Sequence, residues 1–234
     1  MIVPDFPWHQ QLDGNAVVTF HVADAGMARH FVPRPFEIVT PWPGRTVAAL
    51  YWARYGAGSD VPFGELTVSC ALVRHRGRRV QWLSHSYVDE SRSRDRSRMR
   101  LGMPRELADF PRDPRRPRHL LASRDGQLLC RVRLGPVVWG WRRTLQRIAM
   151  HQDADSPTDV WVHGNEIAGR VGVATARIDV PRESPLHVLG LGQPLGAVCV
   201  RDAFGVFAGA DFLPRHTIPV RQTVETFTAR RGAA

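Results

Sequence analysis

Apolar and polar positions alternate with a two-residue period along most of this chain. Residues 15–22 are apolar and β-branched around Val17, Val18, Thr19 and Phe20, which predicts a first strand. Residues 46–55 predict a second, with Val47, Ala49, Tyr51 and Ala53 on one face and Ala48, Leu50, Trp52 and Arg54 on the other. Residues 67–74 and 78–88 predict two more, joined at the polar turn Arg76-Gly77. Residues 127–134 and 136–141 read as a pair joined at Gly135, whereas 142–150 fit a short helix and an edge strand equally well. Further strands are predicted near Val160-Trp161-Val162, over the alternating residues 169–180, and over 186–189, 197–200 and 206–212.

Helical signals are few. Asp24 is suited to cap a short helix that ends before Pro33, with Met27, Phe31 and Ala28 on its buried side. The segment Pro104-Arg105-Glu106-Leu107-Ala108-Asp109-Phe110 is compatible with a short helix that stops at Pro111. Residues 90–100 interleave arginine and serine; their charges repel one another, which predicts a solvated loop or extended hairpin. Its functional reading is a mouth that attracts anionic substrates. Residues 113–118 are too rich in proline for regular structure, and 221–234 read as a frayed tail. Many short strands and few helices define a mainly β (α+β) fold whose antiparallel sheet must curl on itself to protect its edges. With no internal repeat and no linker, residues 1–234 are expected to form a single domain.

Composition narrows the function classes. With 43% hydrophobic and 23% charged residues, the chain is ordinary globular protein. All 32 basic residues are arginine, and the formal net charge is +10. Such a balance favours polyanions, but no recognised nucleic-acid motif accompanies it, and the arginine usage fits a GC-rich coding bias equally well. We therefore do not expect nucleic acid as a partner. Cys70, Cys130 and Cys199 lie far apart in apolar runs and read as buried reduced thiols of a cytoplasmic protein. Residues 1–8 lack a basic n-region and a long apolar core, and no run approaches ~18 apolar residues, so no membrane partner is expected. Among the ten histidines none has another at i+2 or i+4, so no metal site is expected.

One stretch carries a specific resemblance. Arg105-Glu106-Leu107, two small or polar residues, Phe110, Pro111 and then Arg112 resembles the active-site segment of the acetoacetate decarboxylase family. The helix after Asp24 with Val32-Pro33-Arg34-Pro35-Phe36-Glu37-Ile38, the segment Phe63-Gly64-Glu65, and Ala210-Asp211-Phe212-Leu213-Pro214-Arg215 are similar to other family segments. The resemblance covers about two-thirds of the chain. It implies a cone-like β-barrel with small flanking helices, a central cavity and a homo-oligomer. In the family a lysine that forms a Schiff base with a keto acid follows the proline; here that residue is Arg112. A guanidinium is neither deprotonated nor a useful nucleophile. The resemblance also places a site glutamate at Glu65, puts the basic residue of the first strand at His21 or Val22, and puts a second glutamate among residues 48–51, where none exists.

These positions define the candidate chemistry. Glu65 is a candidate general acid or base, and Arg112 a candidate grip for a carboxylate or an enolate oxygen. Arg105, Glu106, His85, Tyr87, Tyr51 and Phe63 are candidate substrate-binding residues. Six of the eight have a structural alternative: Arg112 pairing with Asp109, Asp113 or Glu106, Arg105 and Glu106 facing solvent, Glu65 in a turn, His85 and Tyr87 in the core or on the surface. The expected function is a lyase, dehydratase, isomerase or cyclase step on a keto acid or polyketide-like molecule, without a cofactor, in specialised metabolism. The alternative is a non-catalytic binding protein for a carbonyl-containing or anionic small molecule, using the same cavity.

Overall fold

The computed structural model describes residues 9–111, 113–156 and 159–213, and the alternating segments within them are strands. In chain order these are β1 (His9–Asp24), β2 (Glu37–Ile38), β3 (Arg45–Tyr55), β4 (Phe63–His75), β5 (Arg78–Val88), β6 (Arg105–Leu107), β7 (His119–Arg124), β8 (Gln127–Leu134), β9 (Val138–Gln152), β10 (Val160–Ala174), β11 (Ala176–Asp179) and β12 (Pro194–Leu213). Two α-helices, α1 (Ala25–Ala28) and α2 (Ser91–Leu101), and a 3-10 turn at His187–Leu189 complete the list. The architecture is mainly β. None of the described helices is long and apolar enough to cross a membrane.

A nine-stranded sheet runs β2-β4-β3-β1-β12-β10-β9-β5-β6, and β4 pairs with β5 as well. That extra pairing closes a ring through β4, β3, β1, β12, β10, β9 and β5. Its closing seam is the short parallel contact of β5 with β9, Gln81 opposite Ala149 and Trp82 opposite Met150. Further along the same edge of β5, β6 takes over, with Ser86 opposite Arg105. A separate three-stranded sheet, β11-β8-β7, contributes Ala122, Leu129, Cys130 and Val132 to a core shared with Leu50, Trp52, Leu66, Val68 and Tyr87.

Strands β3 and β4 are buried on both faces, whereas the first half of β9 is largely exposed. Along β3, Tyr51, Ala53 and Tyr55 point into the ring with Leu12, Phe63 and Val200, while Leu50 and Trp52 point out to the shared core. Burial on both faces explains why β4 is almost entirely inaccessible along its length. Each fully buried Leu, such as Leu50 and Leu66, contributes about 1.5–3 kcal/mol of transfer free energy.

Several sequence expectations are corrected. Residues 90–100 are not a loop: Glu90 accepts a hydrogen bond from the Ser93 N–H at 2.7 Å, α2 follows, and Gly102 at φ 56° ends it. Its buried residues are Ser93, Ser97 and Leu101, four apart on one face. The arginines spread over the remaining, water-facing surface, where their repulsion is screened. Residues 105–107 form strand β6, because the edge of β5 offers backbone partners that outweigh local helix propensity. Asp24 does cap α1, through Gly26 and Met27 N–H groups at 2.8 and 3.1 Å, but Ala28 is its buried residue and Met27 is exposed.

Residues 142–150 belong to the continuous strand β9, and β8 pairs with β7 and β11 rather than with β9. The alternating run 169–180 is shared between β10 and β11, which lie in different sheets. Residues 186–189 contain a 3-10 turn, and 197–212 lie in one strand, β12. Residues 214–215 and the tail 221–234 lie outside the described residues.

Candidate functional site in the ring interior

At one end of the interior, residues of β3, β4, β6, β9 and β10 converge on a polar cluster. Alternation along β4 aims Glu65 and Thr67 inward, and alternation along β3 does the same for Tyr51 and Tyr55. Glu65 Oε1 accepts from the Thr67 hydroxyl at 2.7 Å and from Arg105 Nη2 at 2.8 Å. Its Oε2 accepts from the Tyr55 hydroxyl at 3.3 Å. Arg105 comes from β6 and also donates through Nη1 to the hydroxyls of Ser93 and Ser97 on α2, at 3.1 and 2.8 Å. Its guanidinium carbon sits 5.7 Å from the centroid of the Phe63 ring.

A second cation comes from β9. Arg147 donates through Nε to Gln81 Oε1 at 3.1 Å, and its guanidinium carbon stands 4.9 Å from the centroid of the Tyr51 ring. Tyr51 and Tyr55 are joined hydroxyl to hydroxyl at 2.9 Å. His163 lines the same space, and its ring centroid is 5.3 Å from that of His151. Among the described residues this end of the ring therefore sets one carboxylate against two guanidiniums. The free space between these side chains is about 20 Å³, room for a single water.

Burial is the main influence on the ionisation of Tyr51, Tyr55, Arg147 and His163. It pushes the phenols of Tyr51 and Tyr55 up, assisted by the charge of Glu65, so both remain hydroxyl donors. Burial also lowers Arg147 and lowers His163, the latter helped by His151, Arg147 and Arg105. The histidines are therefore neutral near pH 7. No group of three or more potential metal ligands occurs among the described residues.

The candidate residues named from the sequence separate into groups. Glu65, Arg105, Tyr51 and Phe63 come together around the interior space. His85 and Tyr87 do not join them. A β-bulge at Ser84 lets Val68 pair with His85 while Ser69 pairs with Leu83, so simple alternation from Leu83 assigns the wrong face. Leu83 packs with Leu101, Met103 and Ala149, whereas His85 packs against Phe31 and Tyr87 on the other side of the sheet. Glu106 is on the outward face of β6, in an exposed ion pair with Arg124. Arg112 lies outside the described residues. Its neighbours Pro111 and Asp113 line an outer cleft of about 490 Å³, together with Val17, Trp52, Phe110 and Leu120.

Tyr55, Thr67, Arg147 and His163 were not singled out from the sequence. Two-residue spacing from Tyr51 and from Glu65 carried a signal for Tyr55 and Thr67. Arg147 had none, because the conformation of 142–150 was undecided.

The ring-shaped β-sheet thus encloses one hydrogen-bonded carboxylate and two arginines. The chain belongs to the acetoacetate decarboxylase family, whose sequence pattern matches residues 2–209. Its fold is similar to that of acetoacetate decarboxylase, with a TM-score of 0.66 and 14% identity over 91% of each chain. It is also similar to the enduracididine biosynthesis enzyme MppR complexed with pyruvate, with a TM-score of 0.65 and 14% identity over 90% of this chain and 92% of that one. In sequence, the protein NEOXANTHIN-DEFICIENT 1 of Oryza sativa subsp. japonica is 29% identical over 104 residues, 44% of this chain and only 33% of the rice protein.

Proposed function

We propose that this chain is an enzyme that moves a proton next to the carbonyl group of a small molecule and does so without a lysine imine. The observation that carries this reading is Glu65, a carboxylate in the ring interior held in one orientation by Thr67, Tyr55 and Arg105. The sequence contains no lysine, so the side-chain amine that imine chemistry needs is missing. What remains is acid/base work: a lyase, dehydratase, isomerase or cyclase step on a keto acid or polyketide-like molecule.

In this reading the ring is the cone-like barrel of the family, and its interior is the substrate cavity. Glu65 is the proton acceptor, and guanidiniums hold the anionic or carbonyl group. Arg147 serves from β9, and Arg112 is the second proposed grip. The fold likeness to MppR complexed with pyruvate supports a keto acid as the first compound to try, and a biosynthetic setting. A cytoplasmic homo-oligomer working without a cofactor completes the proposal. Because the interior space holds only about one water, substrate binding has to displace a wall. The first two turns of α2 are the favoured wall, since they offer the interior only Ser93 and Ser97 and bury little apolar area.

Proton NMR in heavy water tests the reading, with pyruvate and a panel of β-keto compounds. Wild type is compared with Glu65→Gln, Arg147→Gln and Arg112→Ala. Exchange of the protons next to the carbonyl, reduced about 100-fold or more in Glu65→Gln, is the expected result. Line broadening of the compounds without exchange in any sample would replace the enzyme by a non-catalytic binding protein.

A further inference from the structure

The hydrogen bonds of the interior have a direction. A carboxylate only accepts, so the Tyr55 hydroxyl donates its proton to Glu65 Oε2. With that proton committed, the Tyr55 oxygen can only accept from Tyr51, 2.9 Å away. The donors therefore run Tyr51 to Tyr55 to Glu65, and the Tyr51 oxygen is the free end, with acceptor capacity to spare. Glu65 Oε1 already accepts from Thr67 and Arg105. Glu65, Tyr55 and Tyr51 all line the interior space, and the two phenols extend the reach of Glu65 Oε2 across it.

We propose that Tyr51 is a catalytic residue whose phenolic oxygen takes the proton from the carbon next to the substrate carbonyl, while the Tyr51 proton passes to Tyr55 and the Tyr55 proton to Glu65. This rests on the acid/base reading above and names the atom that touches the substrate. The step balances. The C–H bond breaks and leaves its electron pair as an enolate. An O–H bond forms on Tyr51 as its original O–H breaks, the same exchange happens on Tyr55, and a new O–H forms on Glu65. Both tyrosines end as the neutral phenols they began as. That matters because burial disfavours a phenolate at either position, and a concerted shift never accumulates one. Arg147, stacked on the Tyr51 ring and lining the same space, supplies a cation that offsets the enolate charge.

The test follows methyl-proton exchange of pyruvate in heavy water at saturating concentration, for wild type, Tyr51→Phe, Tyr55→Phe, the double variant and Glu65→Gln. The relay requires each single variant to lose about 100-fold in rate with pyruvate binding, read from line broadening, changed by less than about threefold. It also requires the double variant to be no more than about threefold slower than the worse single, since the two phenols act as one unit. A Tyr51→Phe protein that exchanges within about threefold of wild type, while Glu65→Gln loses its rate, overturns the relay and leaves the enzyme reading standing. No exchange by wild type with pyruvate or any β-keto compound overturns both. If Tyr51→Phe melts early, a fluorinated tyrosine at position 51 keeps shape and hydrogen bonds while acidifying the phenol. The relay then demands a rate change above about threefold, and an unchanged rate overturns it.

Discussion

Arg105 Nη2 lies 2.8 Å from Glu65 Oε1, and both side chains are 7% exposed. Two charges this deeply buried are each held by the other and by the hydroxyls of Thr67, Ser93 and Ser97. The pair links three elements: β4 through Glu65, β6 through Arg105, and α2 through its two serines. Its arrangement decides how several variants behave.

Arg105→Ala leaves Glu65 as a buried charge without its cation, and it is expected to cost about 3–5 kcal/mol of stability in urea titration. Removing both charges, with Arg105→Met and Glu65→Leu together, is expected to recover most of that loss, because the pair is held against a large desolvation penalty. An Arg105→Ala midpoint equal to wild type would contradict the pairing.

Gly102 ends α2 at φ 56°, and a Cβ there would run into the Asp153 carboxylate and the Trp161 indole nitrogen. Those two groups are hydrogen-bonded at 2.6 Å. Gly102→Ala is expected to lose more than about 2 kcal/mol, a drop of at least ~4 °C in Tm. Gly44, at φ 67°, has open space where a Cβ would sit. Gly44→Ala therefore carries only the backbone strain, about 1 kcal/mol, and calorimetry of the two variants separates strain from collision.

Acid is expected to weaken the fold well before the carboxylates titrate. Burial lowers the imidazoles of His151 and His85 to about 4 from 6.5, and it lowers His163 as well. Between pH 6.5 and 4 the unfolded chain binds more protons than the folded one. The contribution of these imidazoles to stability is therefore complete above pH 6.5 and falls as pH drops towards 4, with up to about 3 kcal/mol at stake for His151. Urea midpoints from pH 7.5 to 4 measure the slope. His151→Gln, which retains an N–H donor for the Leu101 carbonyl that now accepts from His151 Nε2 at 2.8 Å, is expected to flatten it; a wild-type midpoint constant from pH 7 to 5 would refute this account.

The thiols are expected to be silent in the folded protein. Cys70, Cys130 and Cys199 are free and buried, and burial pushes the Cys70 thiol up to about 12 and raises the other two. Without thiolate there is no nucleophile. A chromogenic disulfide reagent at pH 8 should label no cysteine rapidly in buffer and all three in denaturant; fast labelling of Cys70 in buffer would rule the burial out.

Much of the strand content was legible because alternation is local. Val47 to Arg54 and the Arg76-Gly77 turn, where both residues have positive φ, declare themselves within a few residues. The Asp24 cap is equally local. Helix α2 escaped because its signal is a stripe of Ser93, Ser97 and Leu101 rather than of large apolar residues. Small hydroxyls become inward-facing only when a partner such as Arg105 is there to receive them. The strand β6 escaped for a related reason, since three residues become a strand only when β5 presents an open edge.

The site divides along the same line. The sequence by itself determined that lysine imine chemistry is unavailable, that Tyr51 lies in a β-forming run and Glu65 just before one, and that the chain belongs among mainly β proteins. These are properties of side-chain chemistry and of short-range period, and no distant contact alters them. Only the tertiary structure decided that Tyr51, Tyr55, Glu65, Arg105 and Arg147 face one another. It also turned His85 and Tyr87 away through the bulge at Ser84, and it closed the ring where Gln81 meets Ala149. The physical reason is that a strand sets only which residues share a face; which face becomes the interior depends on hydrogen bonds between segments distant in the chain.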